Sequence, residues 1–155
     1  MNGLTKEESL PKIKQFCAYQ ERCHFEVRVK LYSYRLHKMQ VEEILSILIE
    51  ENYLNEERFA LLYAGGKFRM KHWGKVKIKY ALKQKQVSEY CIKKALKEIN
   101  EDEYKRTITK LGEQKLKTLK GEKYMLIKKK KLRDHLLQKG YESTLISEVI
   151  KNIIN

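Results

Sequence analysis

An apolar phrase with helical spacing occurs three times in the sequence, and this repetition constrains the fold more than any other feature. Val41, Ile44, Leu45 and Leu48 lie at i, i+3, i+4 and i+7, which places their side chains on one face of an α-helix. The phrase returns 51 residues later and again after a further 54 residues. The second and third copies are Ile92, Ala95, Leu96 and Ile99, and Ile146, Val149, Ile150 and Ile153.

The helix predicted before each phrase repeats with the same offsets. Val27, Ile78 and Leu132 correspond to one another, and two further triplets of apolar residues show the same relation. Agreement at this many apolar positions in three copies indicates an internal repeat of about fifty residues. The further triplets are Leu31, Leu82 and Leu136, and Leu36, Val87 and Tyr141.

Each repeat is predicted to hold three helices, which makes the chain an all-α protein of three tandem three-helix repeats. A three-helix unit buries little surface alone, so stacked repeats predict an elongated, curved array, with a compact nine-helix bundle as the alternative. The first helix is expected to start near Leu10–Pro11, because Pro is tolerated in a first turn. The predicted divisions are a mobile leader over 1–9 and repeats over 10–53, 54–99 and 100–155.

The positive charge is concentrated in two blocks of the chain. The net charge is +14, but residues 67–85 sum to +8 and residues 104–133 to +10, so the remaining residues are slightly acidic. This asymmetry predicts a polyanionic partner, either nucleic acid or an acidic protein surface. The first block also contains two unusual features, the single Trp of the chain at Trp73 and, just before it, the pair Gly65-Gly66 inside a predicted helix. The glycine pair indicates either a break in that helix or a close approach to its backbone.

The candidate binding residues are the cations of these blocks together with Trp73. Two interpretations of Trp73 remain open, stacking on an exposed base or packing as a wedge between helices. Tyr80 and Leu82 are predicted to belong to the core. Four consecutive lysines from 128 to 131 encircle a helix, so one flat partner cannot meet them all. The candidate cations are Lys67, Arg69, Lys71, Lys75, Lys77, Lys79, Lys83, Lys128, Lys129, Lys130 and Arg133.

The sequence shows no constellation typical of catalysis, and no cofactor is predicted. Three pairs of glutamates between residues 42 and 57 flank an apolar helical stripe, which favours an exposed acidic face over a metal site. Three cysteines without paired spacing predict reduced thiols, with Cys17 and Cys91 in the interior. No apolar run approaches membrane-spanning length. We therefore expect a soluble, cytoplasmic protein, and its strong self-repulsion favours a monomer.

The segment Leu54-Asn55-Glu56-Glu57-Arg58-Phe59-Ala60 resembles the L-[ND]-[DE]-x-[RK]-[FY]-[AV] phrase of the RecX family, bacterial regulators of the RecA recombinase. With the tandem helical organisation, the resemblance extends from about Ile13 to Ile153. The family's usual Gly after the second helix is kept only as Gly140, which leaves the turns of the first two repeats open. Other segments similar to the family's second repeat are Lys67-Phe68-Arg69, Trp73-Gly74, Leu82-Lys83 and Val87-Ser88.

The resemblance implies a non-enzymatic modulator that binds the RecA–DNA filament and lowers its extension, ATPase activity and recombinase activity. It implies RecA and non-specific DNA as partners, with roles in DNA recombination, DNA repair and the SOS response. The acidic stretch 42–57 is a candidate second surface for basic patches of RecA. A transcription regulator of helix-turn-helix type is the alternative, although its base-reading helix should carry exposed Arg, Asn or Gln, and the third helices are the least basic here. An enzyme that acts on nucleic acid has no supporting cluster of residues.

Overall fold

A computed structural model describes residues 3–154, and over this range the α-helix is the only regular secondary structure. The predicted all-α class is confirmed. Within the same range, each helix is too short or too polar to cross a lipid bilayer. The helices are α1 (Lys6–Tyr19), α2 (His24–Ser33), α3 (Lys38–Glu50), α4 (Glu56–Lys71), α5 (Lys75–Gln84), α6 (Glu89–Lys97), α7 (Glu101–Thr118), α8 (Met125–Gln138) and α9 (Ser143–Ile154).

Helix α1 begins earlier than the sequence analysis predicted. The Oγ1 atom of Thr5 accepts a hydrogen bond from the Glu8 amide at 3.0 Å, and the Glu8 carboxylate accepts one from the Thr5 amide at 2.9 Å. This reciprocal capping box starts the helix at Lys6, so the start predicted near Leu10–Pro11 is wrong. Met1 and Asn2 of the predicted leader lie outside the described residues.

The second helix of each repeat ends in the same left-handed turn. The φ angles are 66° at Arg35, 60° at Gln86 and 97° at Gly140. These positions are separated by 51 and 54 residues, the offsets of the apolar repeat. After Gln86 the Val87 amide donates to the Leu82 carbonyl at 3.1 Å, the bond that closes a helix end around a left-handed residue. The turn geometry is therefore kept in all three repeats, although Arg and Gln carry strain there that Gly would not.

The chain divides into two compact units. The first unit comprises the described part of Met1–Tyr63 together with Leu82–Ala95, and α1, α2 and α3 pack around its core. The second comprises Ala64–Ala81 together with the described part of Leu96–Asn155, and α7, α8 and α9 pack against one another there. Every residue of the three apolar phrases is buried except the half-buried Leu96 and Ile153.

Two predictions about single side chains are wrong. Tyr80 is 65% exposed, whereas Leu82 is fully buried as predicted. Each residue of an α-helix turns by about 100°, so Tyr80 points away from the face that Ile78 and Leu82 share. Cys17 is buried as predicted, but Cys91 is only half-buried, and Cys23 is buried instead. Burial raises the pKa of the Cys17 and Cys23 thiols to about 11.

Two substitutions in the left-handed turns are expected to change the free energy of unfolding in opposite directions. Gln86→Gly is expected to raise the free energy of unfolding by about 1 kcal/mol, because Gly adopts the left-handed conformation without the strain of a side chain. Gly140→Ala is expected to lower it by about 2–4 kcal/mol, because its new Cβ would also overpack the turn. That Cβ would stand 2.2 Å from the Cβ of Lys77. Urea unfolding followed by circular dichroism measures both changes, and a loss of stability in Gln86→Gly would contradict the strain argument.

Candidate polyanion-binding surface

Residues 67–79 of the first basic block lie around the turn between α4 and α5, in the second unit. Backbone hydrogen bonds hold this turn against the residues that follow α8. Helix α4 ends at the left-handed His72, with a φ of 58°. The amides of Gly74 and Val76 then donate to the carbonyls of Lys139 and Gly140, at 2.8 and 2.9 Å. A Cβ at Gly74 would stand 2.3 Å from the Gly140 oxygen, so only glycine permits this approach.

A buried tyrosine completes the hydrogen bonding at the start of α5. The Lys75 amide donates to the hydroxyl of Tyr104 at 2.8 Å, and this hydroxyl donates to the Glu142 carboxylate at 2.5 Å. Tyr141 donates to the His72 carbonyl at 2.8 Å, and its ring centre lies 5.2 Å from that of Tyr104. Burial and the hydrogen bond to Glu142 raise the pKa of Tyr104 far above its ordinary value. Burial likewise raises the pKa of Tyr141.

We call this contact between the start of α5 and the third repeat a junction, and the first unit contains the equivalent junction between the start of α2 and the second repeat. His24 and Cys23 stand 51 residues before Lys75 and Gly74. The His24 amide donates to the Glu56 carboxylate at 3.1 Å, so the first amide of α2 is also satisfied by the first helix of the following repeat. The Cys23 sulfur lies 3.8 Å from the Lys85 carbonyl, in the turn that corresponds to Lys139–Gly140. One junction is thus built with a carboxylate and the other with aromatic rings.

Trp73 follows α4 in the second unit and is half-buried. The Lys67 and Lys77 ammonium groups lie 5.0 and 4.8 Å from the centre of its ring. These are cation–π distances, so the aromatic surface is already covered in part by cations of the protein itself. The arrangement favours the interpretation of Trp73 as a packing residue.

Two of the candidate cations take part in the junction. The Lys75 ammonium pairs with Glu101 at 3.1 Å and lies 4.6 Å from the Tyr104 ring centre. Lys77 donates to the Gln138 carbonyl at 3.4 Å, and its Cβ packs against Gly140. Substitutions of these lysines would therefore change stability as well as charge.

Arg69 and Lys71 are the outward cations of this block, on the last turn of α4. Among residues 3–154, no ion pair includes either side chain. Helix α4 continues through the glycine pair, and the Arg69 Nη1 atom lies 2.8 Å from the place that a Cβ at Gly65 would occupy. Of the remaining candidates, Lys79 is half-buried, and Lys83 is exposed and stands 3.9 Å from the Glu89 carboxylate.

The four lysines of the second block point to different surroundings, as their positions on the helix predicted. Lys130 pairs with Asp134 at 2.9 Å, and Lys131 pairs with Glu122 at 3.1 Å. Lys129 is exposed, whereas Lys128 lines a groove between helices. The nearby Arg133 donates to the Ser147 hydroxyl at 2.9 Å.

Lys77 of the first block reaches the Gln138 carbonyl at the end of α8. Lys128 of the second block precedes Gln138 by ten residues, which is about 15 Å along the helix axis. Sequence analysis also missed three exposed cations of α7 around an open cavity of about 510 Å³. The four-residue spacing of two of them, which places both on one helix face, was the available signal. The missed cations are Lys105, Arg106 and Lys110.

The acidic stretch 42–57 is largely paired within the first unit. Glu42 accepts two hydrogen bonds from Arg28, at 3.0 and 3.2 Å, and this interaction lowers the pKa of the Glu42 carboxyl. Glu43, Glu51 and Glu57 pair with lysines, and Glu56 accepts the hydrogen bond from the His24 amide. This stretch therefore presents less free negative charge than its sequence suggests.

Comparison with known proteins gives one consistent family. A family model described as RecX, second three-helix domain, matches residues 55–96. The regulatory protein RecX of Clostridium perfringens (strain 13) is 34% identical over 133 residues, which are 84% of this chain and 61% of that protein. The regulatory protein RecX of Halalkalibacterium halodurans is 32% identical over 139 residues, 89% of this chain and 52% of that protein. The chain thus spans less than two thirds of the length of these curated relatives.

Solved structures of RecX proteins share the fold. The crystal structure of RecX from Lactobacillus salivarius superposes with a TM-score of 0.86 at 24% identity and covers 95% of both chains. A second crystal structure of a regulatory protein RecX gives a TM-score of 0.82 at 19% identity and covers 94% of this chain and 73% of that one.

Raising the pH is expected to unfold the protein in a step that ionises Tyr104 and Tyr141. Their pKa values in the folded chain lie above the ordinary 10.0, so the unfolded chain binds fewer protons at alkaline pH. Their contribution to stability is complete below about pH 10 and is lost as the pH rises above it. Tyrosinate absorbance and helicity, recorded together, should show a late rise in absorbance that coincides with the loss of helix.

Two variants distinguish the late ionisation of the buried tyrosines from the gradual ionisation of the exposed tyrosines. Tyr141→Phe should reduce the late absorbance step. Tyr19→Phe, at a position that is 82% exposed, should reduce only the gradual rise that precedes it. Complete ionisation of all tyrosines with full helicity would contradict the buried network.

Proposed function

The chain belongs to the RecX family, and we propose that it acts as a non-enzymatic regulator that binds the RecA–DNA filament and limits its extension, ATPase activity and recombinase activity. The relatives are named regulatory proteins, and the proposal extends that role to this chain. Its supporting observation is the charge of the second unit, where 21 Lys and Arg stand against 9 Asp and Glu. That unit therefore carries +12 of the net +14.

The distribution of these cations supports contact with phosphates rather than readout of bases. Lysines dominate, and they lie on the first and second helices of the repeats. The last helix, α9, contains Lys151 and Glu148 as its only charged residues. A base-reading helix would need donors such as Arg aimed into the major groove. Non-specific binding to the DNA backbone needs only a field of cations, which this unit has.

We propose that exposed cations make the filament contacts and that cations whose side chains contact neighbouring groups of the protein shape the surface. The first group contains Arg69, Lys71 and Lys129, which are exposed, whereas the exposed Lys83 stands 3.9 Å from the Glu89 carboxylate. The second contains Lys67, Lys75, Lys77 and Arg133, whose side chains also contact neighbouring groups of the protein. A filament presents both DNA phosphates and protein carboxylates, so cations of both groups have suitable partners.

The DNA-dependent ATPase activity of the cognate RecA, titrated with this protein at physiological salt, tests the proposal. Inhibition is expected well below one regulator per RecA subunit, as filament binding or capping requires. The double variant Arg69→Glu/Lys71→Glu should raise the concentration needed for half-inhibition by about tenfold or more, because it reverses two charges without touching the junction.

The matched control is Lys12→Glu/Lys38→Glu, which reverses two exposed charges in the first unit. Both variants should keep the helicity of the parent protein, and the control should inhibit as the parent does. Equal inhibition by the parent and the Arg69→Glu/Lys71→Glu variant would exclude this turn of α4 from the binding surface. Tight DNA binding without inhibition of RecA would instead support a DNA-binding protein with another role.

The DNA contact that we propose includes Tyr80, which replaces Trp73 as the candidate for stacking on a base. Tyr80 is 65% exposed on α5 and follows Lys79 directly. Exposed rings among cations are typical of sites for single-stranded nucleic acid, in which bases are free to stack.

Tyr80→Ala is expected to weaken binding to single-stranded DNA by about 1–3 kcal/mol, or roughly 5- to 150-fold in Kd. The salt dependence should stay the same, because no charge is removed. Tyr80→Phe should bind as the parent does, and Tyr19→Ala is the control for loss of an exposed ring. Fluorescence anisotropy measures the affinity for single-stranded and duplex oligonucleotides. An equal loss of affinity for both would contradict base stacking.

A further inference from the structure

An open groove lies among α7, α8 and α9 of the second unit, and the proposed filament contacts do not use it. Its volume is about 510 Å³, within the range of about 300–1,000 Å³ that is common for ligand sites. Apolar side chains from all three helices line it, contributed by Leu116, Met125, Ile153 and Ile154. Among residues 3–154 these side chains line an open groove, so it offers a partner an apolar surface.

The apolar surface continues beyond the groove along the first turn of α8. Four consecutive residues are exposed there, with exposed fractions of 66%, 50%, 82% and 43%. Four consecutive residues encircle a helix, so these side chains face different directions, and Met125 is the one that lines the groove. The four residues are Tyr124, Met125, Leu126 and Ile127.

A glycine sets the position of the groove floor. Gly112 is buried on α7, and a Cβ there would stand 3.1 Å from the Cδ1 atom of Ile153. The missing side chain lets the last turn of α9 approach α7 closely. Ile153 and Ile154 consequently form part of the floor together with Leu116 of α7.

The rim of the groove is cationic. Lys117, Lys120 and Lys128 line it together with a single acid, Glu113. In the part of the chain that the structure describes, none of these lysines forms an ion pair. An apolar floor with a rim of net positive charge complements an apolar stripe flanked by carboxylates.

We propose that this groove binds an amphipathic helix of a partner protein, with large apolar residues at i, i+3, i+4 and i+7 and Asp or Glu along both edges. A second copy of this chain is a poorer occupant, because it would bring another unit of charge +12 against the same lysines. Nucleic acid is also poorer, because its phosphates gain nothing from the apolar floor. The inference goes beyond the proposed function, since it requires neither RecA nor DNA.

The test uses three fluorescently labelled peptides and the full chain at physiological salt. The first peptide is helical, with Leu at the four anchor positions and Glu on both flanks. The second has the same composition in scrambled order, and the third replaces each Glu by Lys. Anisotropy should give a micromolar Kd for the first peptide, at least about tenfold weaker binding for the second and none for the third. Equal binding of the first two would overturn the proposal, because charge alone would explain it.

Variants then locate the site. Met125→Asp should weaken binding of the first peptide by about tenfold or more, since it places a carboxylate at a half-exposed anchor contact without disturbing a buried residue. Lys120→Glu should weaken it as well. The controls are Met39→Asp, at a position that is 70% exposed on α3, and Lys12→Glu, and both should bind as the parent does. Unchanged binding by Met125→Asp would overturn the proposal.

Two further measurements distinguish other occupants. Sedimentation of the parent and of Met125→Asp reports self-association through the groove, and flotation with anionic phospholipid vesicles reports membrane binding. Loss of either property in Met125→Asp, with no peptide binding by the parent, would overturn the proposal in favour of that occupant. Because the peptide assay contains neither RecA nor DNA, its failure and a failure of the proposed function are observed separately.

Discussion

Each junction between consecutive repeats depends on the amide group at the start of a second helix. The first amides of an α-helix have no partner within the helix, and burying them unpaired is costly. In α2 and α5 the residues before the helix are Cys23 and Gly74, which have no side-chain oxygen to accept these bonds. The acceptors come from the following repeat, Glu56 for His24 and Tyr104 for Lys75. Helix capping thus becomes the means by which one repeat is joined to the next.

The two junctions satisfy this requirement with different chemistry. The first uses the Glu56 carboxylate, which accepts from the His24 amide. The second brings Gly74 and Gly140 to backbone contact and buries two tyrosines. Lys75 and Lys77, next to these glycines, are therefore held by the junction, whereas Arg69 and Lys71 lie on the turn before it and face solvent. A basic block that is continuous in sequence is divided by packing into structural and outward cations.

Periodicity predicted the repeats because it is a local signal that recurs. The offsets of 51 and 54 residues, taken from apolar side chains, also relate the three left-handed residues. The spacing of Thr5 and Glu8 is that of a capping box, so the sequence contained the signal for the earlier start of α1. The exposure of Tyr80 likewise follows from its angle to Ile78 on the helix. The hydroxyl of Tyr104 could not be assigned, because its partner lies 29 residues away and is chosen by tertiary packing. The ion pairs that neutralise the acidic stretch are non-local for the same reason.

Helix α8 shows why a run of like charges is not one surface. Its C-terminal turn belongs to the junction, where Lys139 and Gly140 accept amide hydrogen bonds, and its first turn belongs to the apolar groove. Lys128 stands on the rim of that groove, while Lys130 forms an i,i+4 pair with Asp134 that is worth only a few tenths of a kcal/mol on a surface. Substituting the whole lysine run would mix these effects. Single substitutions separate them, because each lysine has a different neighbour.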